Sequence, residues 1–238
     1  MAILVGGGTR IRIPAGGLVL GPDGGSARVE LAYDTFPQWL MIAVGHAEEC
    51  ERLAQRVDAL WDATPRDDLL IALEAEVRSA MQAIIASAAA IDGFYAFLCQ
   101  EIPELRPSGR RGKSARWSRI AEAIKQSFEI RASTGNEIRR RLEAIFKLRD
   151  EAVHPTAVHQ EPVQHPRSSV GVPRQFACFD RENAVGAVVS ALAIIGGLIH
   201  KPKPVHRALK ESCGYISARV APAVARWEEK HPPAWRVD

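Results

Sequence analysis

A chain of 238 residues with 47% hydrophobic, 25% charged and 6% aromatic residues can enclose a core without covalent staples, which excludes disordered, collagen-like and coiled-coil classes. Its net charge of +3 hides a lopsided distribution: between Arg106 and Arg149 stand 13 basic residues against 4 glutamates. That concentration suits a polyanion such as nucleic acid, and equally a solvated basic face. Four dispersed cysteines (Cys50, Cys99, Cys178, Cys213), none in a CxxC pair, exclude a disulfide framework and imply reduced, mostly buried thiols and a cytoplasmic location.

The opening MAILVGGGTRIRIP has no basic stretch ahead of a sustained apolar run and does not read as a signal peptide. Thr9–Ile13 and Arg28–Ala32 alternate polar with apolar residues, and Gly16-Gly17, Gly21-Pro22 and Asp23-Gly24-Gly25 supply turns between them, so residues 1–33 are expected to form a β-hairpin or three-stranded flap. Gly6–Gly8 is not a phosphate loop, because a strand rather than a helix follows it.

Helical signals begin at Thr35, with Gln38 completing a capping box, and the stripe Ile42, Cys50, Leu53, Val57, Leu60 carries a helix to about Asp62. His46 falls on that stripe and is read as a hydrogen-bonded core histidine. Thr64, Pro65 and Asp67 start a second helix, whose stripe runs Leu70, Leu73, Val77, Met81, Ile84, Ala88, Ile91, Tyr95, Leu98, Ile102; Gly93 is a position where it could bend. A Pro-, Gly- and Arg-rich loop over 103–112 precedes a helix over 114–130. A capping box of Thr134 with Glu137 then starts a helix that ends near Val153, ahead of Pro155.

Residues 155–178 hold four prolines and read as a long irregular segment. Asp180 caps an apolar helix whose run Ala184–Ile199 is 16 residues, short of the roughly 20 that span a bilayer, so a core helix and no membrane association are expected. A last helix covers 205–229. The whole is a mainly α helical bundle with a small β appendage: 1–33 the appendage, 34–205 the bundle, 206–238 a C-terminal helix packed on it.

The sharpest local feature is Leu148-Arg149-Asp150-Glu151-Ala152-Val153-His154-Pro155. The spacing alone is weak: with 24 arginines and 7 histidines it recurs by composition, and Arg226 to His231 repeats it. Context adds more. Arg149 lies three turns after Ile138 on the stripe Ile138, Leu142, Ile145, so a guanidinium is aimed at a packed face and needs a pair, a phosphate or a subunit interface. Asp150 stands beside it, and His154 sits at the helix end.

Here the sequence resembles the HEPN superfamily, all-helical proteins named for higher eukaryote and prokaryote nucleotide binding. Its signature is an Arg, an adjacent small polar residue and a His after four to six intervening positions at a helix end, matched by Arg149, Asp150 and His154. The match is specific over about eight residues and compatible with residues 35 to 205. The resemblance implies a HEPN-like helical bundle and a metal-independent endoribonuclease without cofactor, acting as a homodimer on RNA. Arg149, Asp150 and His154 would be its catalytic residues. It is compatible with a toxin or defence effector and an antitoxin-like protein partner. The chemistry is coherent: RNA brings its own 2′-hydroxyl nucleophile, a histidine moves protons near neutrality, and an arginine grips the phosphate by its fork. A non-catalytic helical dimer that binds nucleic acid or protein through the same groove stays open as an alternative.

Arg110, Arg111, Lys113, Arg116, Arg139 and Arg140 supply cations for an RNA backbone, with Trp117 as a stacking platform. His154, His159 and His165, with Glu151 and Glu161, have the composition of a metal site, but in a proline-rich loop they read as solvated histidines, and no metal is expected.

Overall fold

The computed structural model describes residues 2–5, 9–12, 18–21, 24–27, 30–61, 66–105, 115–154, 161–167, 170–200 and 202–231. The protein is mainly helical, as expected, and divides into two units, Met1–Thr35 and Phe36–Asp238.

The first unit contains more strands than the alternation predicts. β1 (Ala2–Val5), β2 (Thr9–Arg12) and β5 (Glu30–Tyr33) form an antiparallel sheet in the order β1-β2-β5, while β3 (Leu18–Gly21) pairs with β4 (Gly24–Ala27). Gly24-Gly25, read from sequence as a turn, belongs to β4 opposite Leu20 and Gly21. Glycine leaves no side chain by which such a strand could announce itself.

The second unit is built on α1 (Phe36–Leu60) and α2 (Arg66–Glu101). Contacts between His46 and Ser79 and between Cys50 and Glu76 run in opposite order along the two helices, so the pair is an antiparallel hairpin. At its far end the backbones close up on Gly93: a Cβ there would lie 2.9 Å from the Cβ of Phe36. Gly93 therefore serves close approach, and α2 continues unbroken through it. The buried face of α1 is Phe36, Leu40, Ala43, Ala47, Cys50, Leu53 and Val57. The sequence-based stripe enters this face correctly at Cys50 but places Ile42 and His46 one residue off it. Ile42 is exposed, and His46 is half-buried, with its carbonyl rather than its ring accepting the Ser79 hydroxyl at 2.9 Å.

From Ser79 to Cys99, α2 buries most of its circumference, with Ile84, Ile91 and Leu98 in one row and alanines around them; its predicted first stripe residue, Leu70, is exposed. α3 (Arg116–Ser127) and α4 (Ala132–Val153) form a second pair. α4 begins two residues before the predicted cap, with no side-chain cap at Arg131, because Glu137 is turned to Arg140 and Arg141 instead.

A two-stranded ribbon, β6 (Val163–Gln164) with β7 (Gly171–Val172), and the short α5 (Arg174–Cys178) lead into α6 (Arg181–His200). α6 packs against α1, α2, α4 and α7 (Arg207–Glu228), and its Ala191–Gly196 run is wholly buried. α2 and α6 are each long and apolar enough to cross a membrane by composition, but 67% and 61% of their most apolar windows are buried inside the bundle. As core elements each large enclosed side chain contributes about 1.5–3 kcal/mol. Main-chain bonds from Glu129 to Lys203 (2.8 Å) and from Val205 to Ser127 (3.0 Å) tie the α3–α4 connection to the α6–α7 connection.

Candidate functional site

Arg149 and His154 close the C-terminal end of α4. The helix is positioned by Ile138, Leu142, Ile145 and Phe146, all buried, and ends at His154, whose backbone leaves the helical region (φ −126°, ψ 57°) while its N–H still donates to the Asp150 carbonyl at 2.9 Å. Leaving the helix turns the His154 side chain to solvent, where it is exposed.

Arg149 departs from the expectation of a guanidinium sunk in a packed face. Its side chain keeps 27% of its exposure and lies over the Phe146 ring, 4.9 Å from the centroid. Nε stands 2.8 Å from Asp150 Oδ1 but out of line for a hydrogen bond, and that buried nitrogen has no other partner among the described residues. Adjacent residues on a helix do not share a face, yet the long arginine stem folds back far enough to meet its neighbour's carboxylate. Asp150, itself mostly exposed, thus holds Arg149 by one edge and leaves the rest of the guanidinium fork uncommitted. Behind them Arg174 Nε reaches Glu151 at 3.5 Å.

The predicted backbone-binding cations divide into three groups. Arg110, Arg111 and Lys113 lie outside the described residues, as does His159. Arg116 is engaged within the fold: Nε donates to Asp92 at 2.6 Å and the guanidinium covers the Tyr95 ring at 4.6 Å. On α4, Arg139 stacks over Trp117 at 5.2 Å, and Arg140 pairs with Glu137 at 2.8 Å while its side chain stays 76% exposed. Arg140 and Arg141 together hold the Glu137 carboxyl at a pKa of about 2.

Sequence reasoning missed a buried ionic cluster. Arg167, 12% exposed, inserts between α1 and α2 and donates to the Ala54 carbonyl (3.1 Å), Asp58 (2.7 Å) and Glu76. Glu76, in the core at 2% exposure, also accepts the Arg181 N–H at 3.2 Å. Burial pushes the Glu76 carboxyl above its usual range even against the pull of Arg167. His165 is correspondingly not a solvated loop residue: it is buried, packs against Trp61 at 5.1 Å and accepts the Arg167 N–H on Nδ1 at 3.2 Å. Its enclosure, then the neighbouring Arg167, lower its pKa. The signal was Glu76 itself, a lone acid amid the apolar positions of α2, which demands a cationic partner.

Asp180 caps α6 as read from sequence, accepting the Asn183 N–H at 2.9 Å. The cysteines are free, and burial pushes Cys50 up to about 12 and Cys213 up to about 11, so neither is a nucleophile at neutral pH. Among the described residues no three His, Cys, Asp or Glu side chains group closely enough to hold a metal ion. The chain was compared with models of protein families, with curated proteins and with solved structures, and it matches none of them.

Proposed function

We propose that the protein is a metal-independent endoribonuclease of the HEPN kind, working as a cytoplasmic homodimer with Arg149 and His154 of both subunits lining one cleft. The observation that carries this reading is the contrast within α4's last turn. Its helix is fixed by four buried apolar residues, while its terminal His154 faces water and Arg149 is only partly engaged by Asp150 and Phe146. A guanidinium with a free edge suits a phosphate, and an exposed imidazole can exchange protons with a substrate.

The reaction follows from RNA's own chemistry. The 2′-hydroxyl oxygen attacks phosphorus as a histidine takes its proton, the bond to the 5′-oxygen breaks, and that oxygen takes a proton from an acid, leaving a 2′,3′-cyclic phosphate. One imidazole cannot be base and acid in the same step, so two copies of His154 across a two-fold axis divide the tasks. Arg139 and Arg140, about 15 Å back along α4, contact the backbone outside the reacting phosphate. Four cysteines outside any disulfide, three of them buried, support a reducing compartment, and an antitoxin-like partner covering this end of α4 would silence it.

The test is incubation of purified protein with several unrelated single-stranded RNAs in EDTA. Cleavage with a cyclic phosphate end, DNA left uncut, and a dimer by light scattering are expected. A strict monomer at tens of micromolar, or a 3′-hydroxyl product, contradicts the mechanism.

A further inference from the structure

Away from the α4 end, α1 and the C-terminal turn of α7 border a groove of about 660 Å³. Its walls carry the second arginine–histidine pair of the sequence, Arg226 and His231, and both face α1. Arg226 crosses at Gly45, where a Cβ would stand 3.6 Å from the guanidinium, and it donates to Glu48 from Nε (3.2 Å) and Nη2 (2.7 Å). Lys230 shares the same Glu48 oxygen at 3.6 Å. His231 stacks on Trp227, with ring centroids 3.9 Å apart and planes 14° from parallel, and its Nε2 is 3.1 Å from Glu51 Oε2. An ionised carboxylate can only accept, so Nε2 carries the hydrogen.

Two features point to a missing anion. First, cations outnumber acids: Glu48 serves two of them, Glu49 is taken by Arg52 at 2.5 Å, and Glu51 is taken by His231. Second, Arg181, the remaining cation of the lining, has no acidic side-chain partner among the described residues, although its own N–H is anchored on Glu76 at 3.2 Å. We propose that this groove binds the phosphate group of a small phosphate monoester, of about mononucleotide size. Arg181 is its principal ligand and Lys230 the second. An anionic phosphate group answers the surplus of one positive charge, Arg52, Arg181, Arg226 and Lys230 against Glu48, Glu49 and Glu51, that a neutral or apolar ligand would leave standing, the guanidinium fork fits two phosphate oxygens, and the volume falls in the range of small-molecule sites. This site does not depend on the nuclease reading, since it shares no residue with the α4 end.

Isothermal titration of the full chain at low salt with cytidine 5′-monophosphate, inorganic phosphate and cytidine tests it. The monophosphate and phosphate bind, and cytidine does not. Arg181→Gln weakens binding about tenfold and Lys230→Gln by less, whereas the remote, exposed Arg207→Gln leaves it unchanged. Arg181→Lys, which keeps charge but loses the fork, falls between wild type and Arg181→Gln. Affinity drops in 0.5 M salt, since the groove is open to solvent. No heat from either phosphate at millimolar concentration, or binding that survives Arg181→Gln and Lys230→Gln, overturns the proposal. Binding lost in Arg149→Ala assigns it to the α4 end instead and equally overturns it.

Discussion

Arg149, near the end of α4, and Arg167, between β6 and β7, have opposite surroundings. Arg167 spends its guanidinium on three acceptors from α1 and α2 and is nearly enclosed, whereas Arg149 leans on a phenylalanine ring, touches one exposed carboxylate and keeps an edge in water. Two histidines follow the same division: His165 is buried against Trp61 and His154 is exposed. An arginine whose two terminal nitrogens are both bound within the fold is architecture. One held only by its stem and one edge retains the donors that a substrate would need.

The largest expected effect comes from breaking the buried member. Arg167→Met leaves Glu76 without its cation in the core, which costs about 3–5 kcal/mol, and chemical denaturation should show it. Because an isolated buried carboxyl favours its neutral form, the variant should lose further stability as pH rises through the raised Glu76 pKa. The double variant Glu76→Gln with Arg167→Met should recover most of the loss. Equal stability of Arg167→Met and wild type would remove the distinction drawn between the two arginines.

His165 gives a smaller, pH-dependent effect. Its pKa in the folded state is depressed below 6.5 by burial, so the unfolded chain binds the proton more readily and stability falls as pH drops from 6.5 through the lower folded value. His165→Phe should flatten that portion of a melting-temperature profile; an unaltered profile would place the acid sensitivity elsewhere. Smallest is Arg140→Gln. An exposed pair adds little stability, so melting should be unchanged, while the salt dependence of RNA binding should flatten by about one unit of slope. A change in melting with no change in slope would assign Arg140 to the fold.

How far the sequence reached can be judged at particular residues. The helical bundle was legible because apolar spacing on α2 and α4 sets a period and α6 is a near-continuous apolar run, and Asp180 capped α6 as its residue type implied. The errors have physical causes. Ile42 and His46 sit one residue from the buried stripe of α1, because Ala43 and Ala47 occupy the buried positions and alanine barely registers as an apolar signal. His165 looked like a loop histidine because nothing local shows that a segment of four prolines is fastened down by Arg167 to α1 and α2, more than ninety residues away in sequence. Of the candidate site, the sequence supplied Arg149 and His154 as residue types. The Asp150 edge contact and the Phe146 platform depend on the arginine stem's path, which no spacing encodes.

The central claim is that the exposed end of α4 carries chemistry while the buried arginine carries the fold. The rate of RNA cleavage by His154→Ala, measured in EDTA beside a melting curve of the same sample, tests it most directly. The account predicts a melting temperature equal to wild type and cleavage slowed by about 10²–10⁴, the usual worth of a positioned proton-transfer group. Wild type and His154→Ala cleaving at the same rate, or both leaving every RNA intact, would contradict it.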